Sequence, residues 1–409
     1  MSSIPTIATR PFLRIGAYLL LAFTALCCEQ VDVRAGSVNA KALKYRWKSL
    51  HVHGGGYITV VRVDPQNSNV LYAGSDVGGM YKTTDRGRNW RMIDRGLLKD
   101  ADHAIADILI DPLNSNHIYI ATGHVWGKPK GAYGGIFESH DAGETWQLLS
   151  REVKFCGMGT VYQLGRVLAA DPEDPRVLYA GTAWDGVFKS MDGGRSWKAI
   201  GLTGQYITSL VLVPTKPRVL YVSSGQKQPI GRGADVQPIG GIFKSNDDGA
   251  TWTKVFDKSV HEIAISKKQP NTIYAACGAE GVFKSDDGGK SWRECLKCRL
   301  KKTPRAAPEL HYSFVSVAID PSSPSVVYAA SKEYRPPYNS VFKTVDGGLT
   351  WRSVPADRRA NVHIDDWPWG EKYWFFMSPH AIEIDPSDPR NVYVPDWFQV
   401  WHSPDGGDN

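Results

Sequence analysis

The sequence predicts an all-β fold: a single seven-bladed β-propeller of four-stranded antiparallel blades. Three observations predict it. One octapeptide recurs seven times, a fixed order of strand-like segments separates the copies, and the composition favours short strands and turns. The 409 residues include Trp 14, Gly 40 and Pro 25, which suits many turns and aromatic-rich strands better than long helices. Hydrophobic residues at 42% and charged residues at 22% mark a globular chain rather than a disordered one. The net charge of +6 is spread along the length and does not mark a nucleic-acid binder.

The octapeptide reads S/T-x-D-x-G-x-S/T-W. Its copies are TTDRGRNW (83–90), SHDAGETW (139–146), SMDGGRSW (190–197), SNDDGATW (245–252), SDDGGKSW (285–292) and TVDGGLTW (344–351). A seventh, SPDGGDN, begins at Ser403 and runs to Asn409. The aspartates Asp85, Asp141, Asp192, Asp247, Asp287, Asp346 and Asp405 are spaced 40 to 59 residues apart. Such a period is the mark of a propeller or solenoid. Within each turn the Asp carboxylate can accept backbone N–H bonds, the Gly permits positive φ, and the Trp is suited to pack between blades. These aspartates are read as structural rather than catalytic.

Each unit has the same grammar. A short strand ends in Asp-Pro or a relative, as in VVRVDP (60–65), VLAADP (167–172) and IEIDP (382–386). After a polar turn comes a strand such as VLYAG, then VFKS, then the octapeptide, then a strand opened by Trp. Four antiparallel strands per unit, seven times over, fill residues 36–409 and predict a closed ring. The segment YRWKSL, from Tyr45, resembles the segments that follow other octapeptides. Residues 47–52 are therefore expected to supply the outer strand of the seventh blade and to close the wheel without exposed edges. On this reading the propeller is complete and no second domain is present.

Residues 1–35 read as a secretory signal peptide. Arg10 and Arg14 precede an apolar run at 15–28 that is short for a membrane span, and Val33-Arg34-Ala35 offers a small-residue exit. A lipid-modified Cys27 or Cys28 is the rival, but Leu26 fits a lipoprotein site poorly. The expectation is a secreted or periplasmic protein with no membrane span. Cys156, Cys277, Cys295 and Cys298 are too few for a disulfide scaffold. The CxxC at Cys295 and Cys298 has no second pair at metal-site spacing. His51 and His53 could face one side of a strand, but a lone pair makes no metal centre. No metal and no cofactor are expected.

The octapeptide resembles the Asp-box, or BNR repeat, of sialidases, sortilin-type receptors, photosystem assembly factors and xyloglucanases. The opening, YRWKSLHVHGGGYITVVRVDPQNSNVLYAGSDVGGMYK from Tyr45 to Lys82, is similar to the start of glycoside hydrolase family 74, the xyloglucanase type. That resemblance implies a propeller acting on a polysaccharide and places Asp76 at the position of the family's catalytic base. The family's general acid lies on a second propeller, which the repeat count does not lead one to expect here. The arginine triad of sialidases and the cysteine-rich module of sortilin-type receptors are not recognisable either.

Strand counting puts the octapeptides and Asp-Pro turns on one face. The loops between strands two and three, and those between blades, fall on the other. That second face gathers Asp76, Trp126, Trp184, Asp185, Glu280, Tyr334, Asp396 and Trp397. The segment DDWPWGEKYWFF (365–376) adds Trp367, Trp369 and Trp374, and His51, His53, His103, His124, Tyr206, His311, Tyr312 and Tyr338 lie in the same sets of loops. Flat aromatics beside carboxylates suit sugar rings and their hydroxyls. Three functions stay open: binding of an extracellular polysaccharide or glycan, endo-acting glycoside hydrolysis with Asp76 as base, and a protein-interaction or assembly scaffold. Asp185, Glu280 and Asp396 are the candidate partner carboxyls that hydrolysis would need.

Overall fold

The computed structural model describes residues 47–52, 55–125, 134–159, 163, 165–225, 240–297, 313–332, 341–354, 379–396 and 399–408. The chain divides into Met1–Leu43 and Lys44–Asn409, and every described residue lies in the second unit. That unit is a seven-bladed β-propeller. Seven four-stranded antiparallel sheets follow one another along the chain. Their inner strands run Ile58–Asp64, Ile105–Ile110, Leu168–Ala170, Ile207–Val213, Glu262–Ile265, Ser313–Ile319 and Glu383–Ile384. Each touches the next, and the last touches the first.

The ring closes as the repeat predicts. Lys48–Leu50 pairs antiparallel with Val400–Ser403, with Lys48 opposite His402, Ser49 opposite Trp401 and Leu50 opposite Val400. The seventh blade is thus assembled from both ends of the described chain. Its hydrophobic contents lie between blades rather than within one. Val60, Tyr72, Met80 and Ile93 of blade 1 pack on Ile105, Ile118, Phe137 and Trp146 of blade 2. Burying such apolar faces on both sides of every sheet is the main force holding neighbouring blades together.

The seven octapeptides form the same turn. The first hydroxyl donates to the Asp carboxylate and accepts the N–H of a glycine four residues on, as Ser245 does with Asp247 at 2.7 Å and Gly249 at 2.8 Å. The Asp in turn accepts the N–H and hydroxyl of Thr251, at 2.8 and 2.5 Å. The glycine whose N–H donates to the hydroxyl has φ between 72° and 91° in all seven copies, which is why Gly recurs there. An N–H inside each turn also bonds a carbonyl at or just before the start of strand two, for example Ala142 to Asn116 at 2.9 Å and Gly406 to Arg390 at 2.6 Å. Octapeptides and Asp-Pro turns therefore share one face.

A tyrosine and a lysine latch the turns of blades 2, 5 and 7 to the preceding blade. Tyr72 Oη and Lys82 Nζ of blade 1 both donate to Ala142 O in the octapeptide of blade 2, at 3.1 and 2.8 Å. Tyr221 with Lys244 holds Gly288 O, and Tyr328 with Lys343 holds Gly406 O. Trp indoles return the contact: Trp146 Nε1 donates to Ile93 O at 2.6 Å and Trp252 Nε1 to Ile200 O at 2.8 Å.

On the inner strands, charged side chains bridge blades. Asp107 accepts from Arg62 of blade 1 at 2.6 Å and from the Val167 and Leu168 N–H groups of blade 3 at 2.7 and 3.0 Å. Arg166 of blade 3 reaches Glu383 of blade 7 at 2.5 Å, and Glu262 of blade 5 accepts Ser316 Oγ of blade 6, also at 2.5 Å. Burial pushes the Glu262 carboxyl up to about 7, against the hydrogen bond from Ser316 and the charge of Arg166. Two features were not expected from sequence: a short 3-10 turn at Asp100–His103, and a parallel bridge joining His124–Val125 to Met158–Gly159.

Candidate functional site

Opposite the octapeptides, Asp76 occupies the hairpin between strands two and three of blade 1. Two glycine-rich turns cross there. Asp76 Oδ1 accepts the Tyr57 N–H at 2.7 Å, and the Asp76 N–H donates to Tyr57 O at 3.0 Å. Ser75 Oγ accepts the Gly78 N–H at 2.5 Å and donates to Gly55 O at 3.1 Å. Any larger residue would push the turns apart. A Cβ on Gly56 would meet Asp76 Oδ1 at 2.4 Å, and one on Gly78 would meet Gly55 O at 2.3 Å. This explains why glycines surround Asp76 on both segments. The side chain is held in one direction with 8% of the residue's surface exposed.

Two connectors converge on this turn. His380, fully buried in the approach to blade 7, stacks on Tyr57 with ring centroids 4.6 Å apart and donates from Nε2 to Ile58 O. His103, at the end of the 3-10 turn leading into blade 2, offers its carbonyl to the Gly79 N–H at 3.1 Å. Its Nε2 lies 3.8 Å from Asp94 Oδ2, and its Nδ1 bonds Lys99 O at 3.0 Å. A Cβ on Gly79 would sit 3.0 Å from the His103 ring and 3.6 Å from the Asp94 side chain. The Asp76 turn thus meets an aromatic–imidazole stack through Tyr57 and an imidazole–carboxylate pair through Gly79.

The remaining predicted residues have different surroundings. Trp184 packs on Cys156, Ala183 and Tyr206. Asp185 donates its N–H to Thr182 Oγ1 at 2.8 Å in the matching hairpin of blade 3. Tyr206 is buried with no hydrogen-bond partner for its hydroxyl among the described residues, and burial pushes its pKa well up. Glu280 is half-exposed and forms an ion pair with Lys258. Asp396 is buried and engaged in its own blade: Oδ2 accepts the Trp401 indole N–H at 2.7 Å and Oδ1 the Gln399 N–H at 3.2 Å. Trp126, Tyr334, Trp367, Trp369, Trp374 and Trp397 lie outside the described residues, as do His53, His311, Tyr312 and Tyr338. The four predicted carboxylates Asp76, Asp185, Glu280 and Asp396 fall on blades 1, 3, 5 and 7. Tyr57, His380 and Asp94 were not anticipated. Tyr57 and His380 share one signal, a ring just before an inner strand.

No protein-family model matches the chain. The chain is 25% identical over 394 residues to the xyloglucanase Xgh74A of Acetivibrio thermocellus, covering 86% of this chain and 47% of that one. It superposes on the glycoside hydrolase family 74 xyloglucanase of Xanthomonas campestris with a TM-score of 0.71 and 22% identity, over 89% of this chain and 54% of that one. YCF48 from Cyanidioschyzon merolae aligns with a TM-score of 0.54 and 14% identity, over 88% of this chain and 99% of that one. The solved structures share the fold, a β-propeller. The chain spans about half the length of the curated relatives it matches.

Proposed function

We propose that this protein is an exported propeller that binds an extracellular polysaccharide of the xyloglucan type on the face opposite its octapeptide turns. The observation that carries the reading is the Asp76 turn. A carboxylate at the position matching the catalytic base of family 74 is held rigidly by Tyr57, in a turn that meets the His380 and His103–Asp94 groups. The curated relatives, named as xyloglucanases, support a glycan as the ligand. The octapeptides' resemblance to the Asp-box and the leader at 1–35 support secretion of a repeat propeller. Among the described residues no helix is long and apolar enough to cross a membrane.

Hydrolysis is the second reading, favoured by the same aspartate. An inverting glycosidase needs a second carboxyl about 6.5–9.5 Å from the base, with the sugar and a water between them. Asp94 is the carboxylate set beside the Asp76 turn and is the first partner to test. The experiment is equilibrium binding of xyloglucan and a panel of β-glucans, with reducing-sugar release followed in parallel, for wild type and Asp76→Asn. Binding without sugar release, weakened at least tenfold in the variant, fits the first reading. Release abolished by Asp76→Asn fits the second. No binding to any glycan would overturn both and leave the protein-interaction scaffold.

A further inference from the structure

Aligning the blades by their latches exposes two that break the rule: in blade 7 His402 lies opposite Tyr393 and stacks on it, and in blade 2 the cation is exchanged for an anion. Lys82, Lys189, Lys244, Lys284 and Lys343 hold the same place on strand three. Each ammonium lies 5.1–5.5 Å from the ring of the cross-strand tyrosine, namely Tyr72, Tyr179, Tyr221, Tyr274 and Tyr328. In blade 2 the tyrosine is Tyr119, and the residue opposite it is Glu138. An anion therefore stands where five blades place a cation, and it is buried at 4% exposure. Two further exchanges accompany it. His117 takes the place held by valine in Val70, Val177, Val219 and Val326, and His140 takes the variable second position of the octapeptide.

These three side chains converge. His117 Nε2 lies 3.4 Å and His140 Nε2 3.3 Å from the same oxygen, Glu138 Oε2, and all three ligand atoms fall within 4.8 Å of one another. The other carboxylate oxygen, Oε1, faces Arg195 at 3.7 Å. His117 Nδ1 lies 3.4 Å from Asp111 Oδ2. A hydrogen bond there puts the proton on Nδ1 and leaves the Nε2 lone pair directed at Glu138, the carboxylate–histidine arrangement typical of metal ligands.

We propose that His117, Glu138 and His140 form a binding site for a divalent transition metal, zinc being the best fit, which takes the place of the missing lysine ammonium in blade 2. Two imidazoles and a carboxylate with one position left open are a zinc donor set. Metal–ligand bonds of about 2.0–2.1 Å in a tetrahedron put neighbouring ligand atoms about 3.3 Å apart, which is the separation of both imidazole nitrogens from Glu138 Oε2. The rings stack with centroids 4.4 Å apart and planes 16° from parallel, so one ring must turn for both lone pairs to meet at the ion. His140 can do this, because its side chain is 62% exposed on the turn, whereas His117 is held by Asp111. The site lies on the octapeptide face and is independent of the proposed glycan surface.

The test is Zn²⁺ binding by calorimetry and thermal melting, with Co²⁺ absorption as a report of tetrahedral geometry. Wild type, His140→Ala and Glu138→Lys are compared. Wild type binds one Zn²⁺ in the site and melts at a higher temperature as Zn²⁺ is raised, as ligand binding to the native state requires. His140→Ala loses at least tenfold in affinity. Glu138→Lys, which installs the residue of the other blades, folds and no longer responds to Zn²⁺. Wild type that binds no Zn²⁺, or variants that bind it as tightly as wild type, would overturn the assignment. His140→Ala changes an exposed turn residue, so its result stands even if Glu138→Lys fails to fold.

Discussion

The two faces of this propeller solve opposite problems. On the octapeptide face seven turns repeat one hydrogen-bond pattern, and each aspartate is occupied by its own turn. On the other face no two described hairpins use their acids alike. Asp76 clamps a neighbouring turn, Glu280 pairs with a lysine, and Asp396 holds an indole. The difference teaches how to separate scaffold from site in a repeat protein. A carboxylate that recurs in every blade serves one local pattern, whereas each acid on the other face has surroundings of its own and must be judged by them. Glu138 stands out in the same way inside the scaffold, as an acid at the place where five blades carry a lysine.

The comparison can be broken by substitution. The largest effect is expected from the framework, at Asp107→Ala. It removes the closer of two carboxylates beside the buried Arg62, leaving Glu383 at 3.7 Å, and strands two N–H groups of blade 3, so a loss of about 3–5 kcal/mol is expected in denaturant unfolding. Ser245→Ala comes next. Removing the hydroxyl strands the buried Gly249 N–H and should cost about 1–3 kcal/mol. If Ser245→Ala were neutral, the turns would not be carrying the fold.

Acidity sharpens the contrast. Hydrogen bonds from Ser196, Thr251 and Ser291 hold Asp192, Asp247 and Asp287 down at about 2, below their ordinary 3.8. Their contribution to stability is complete above pH 3.8 and is lost as pH falls through about 2. Glu262 has the opposite sign. Its native pKa of about 7 exceeds the ordinary 4.5, so the native state holds the extra proton and stability falls as pH rises from 4.5 through 7. Glu262→Gln should flatten that second slope in melts across pH and leave the acid limb untouched. The smallest stability effect belongs to Asp76→Asn, which keeps an acceptor for the Tyr57 N–H; a change below about 1 kcal/mol is expected while glycan binding falls.

Much of the fold was legible in the chain because the octapeptide writes the same local chemistry seven times, and the similarity of YRWKSL to the other outer strands gave the closure. The site was legible at one point. Asp76 could be found from its Ser-Asp-Val-Gly-Gly turn, but Tyr57, His380 and Asp94 gather around it through contacts between blades that no spacing encodes. Glu280 and Asp396, expected on the ligand face, each have a partner in the protein, which residue type and loop position do not encode. The aromatic residues on which the sugar surface was built, Trp367 among them, fall outside the described residues. The His117–Glu138–His140 cluster is visible only once blades are set in register by their lysines.

The central claim is that one face holds and the other binds. Amide hydrogen exchange with and without a saturating xyloglucan oligosaccharide tests it most directly. The account predicts slower exchange at 55–58, 75–79 and 379–382, with the octapeptide turns unchanged. Protection confined to the octapeptide turns, or none around Asp76 with the sugar bound, would contradict it.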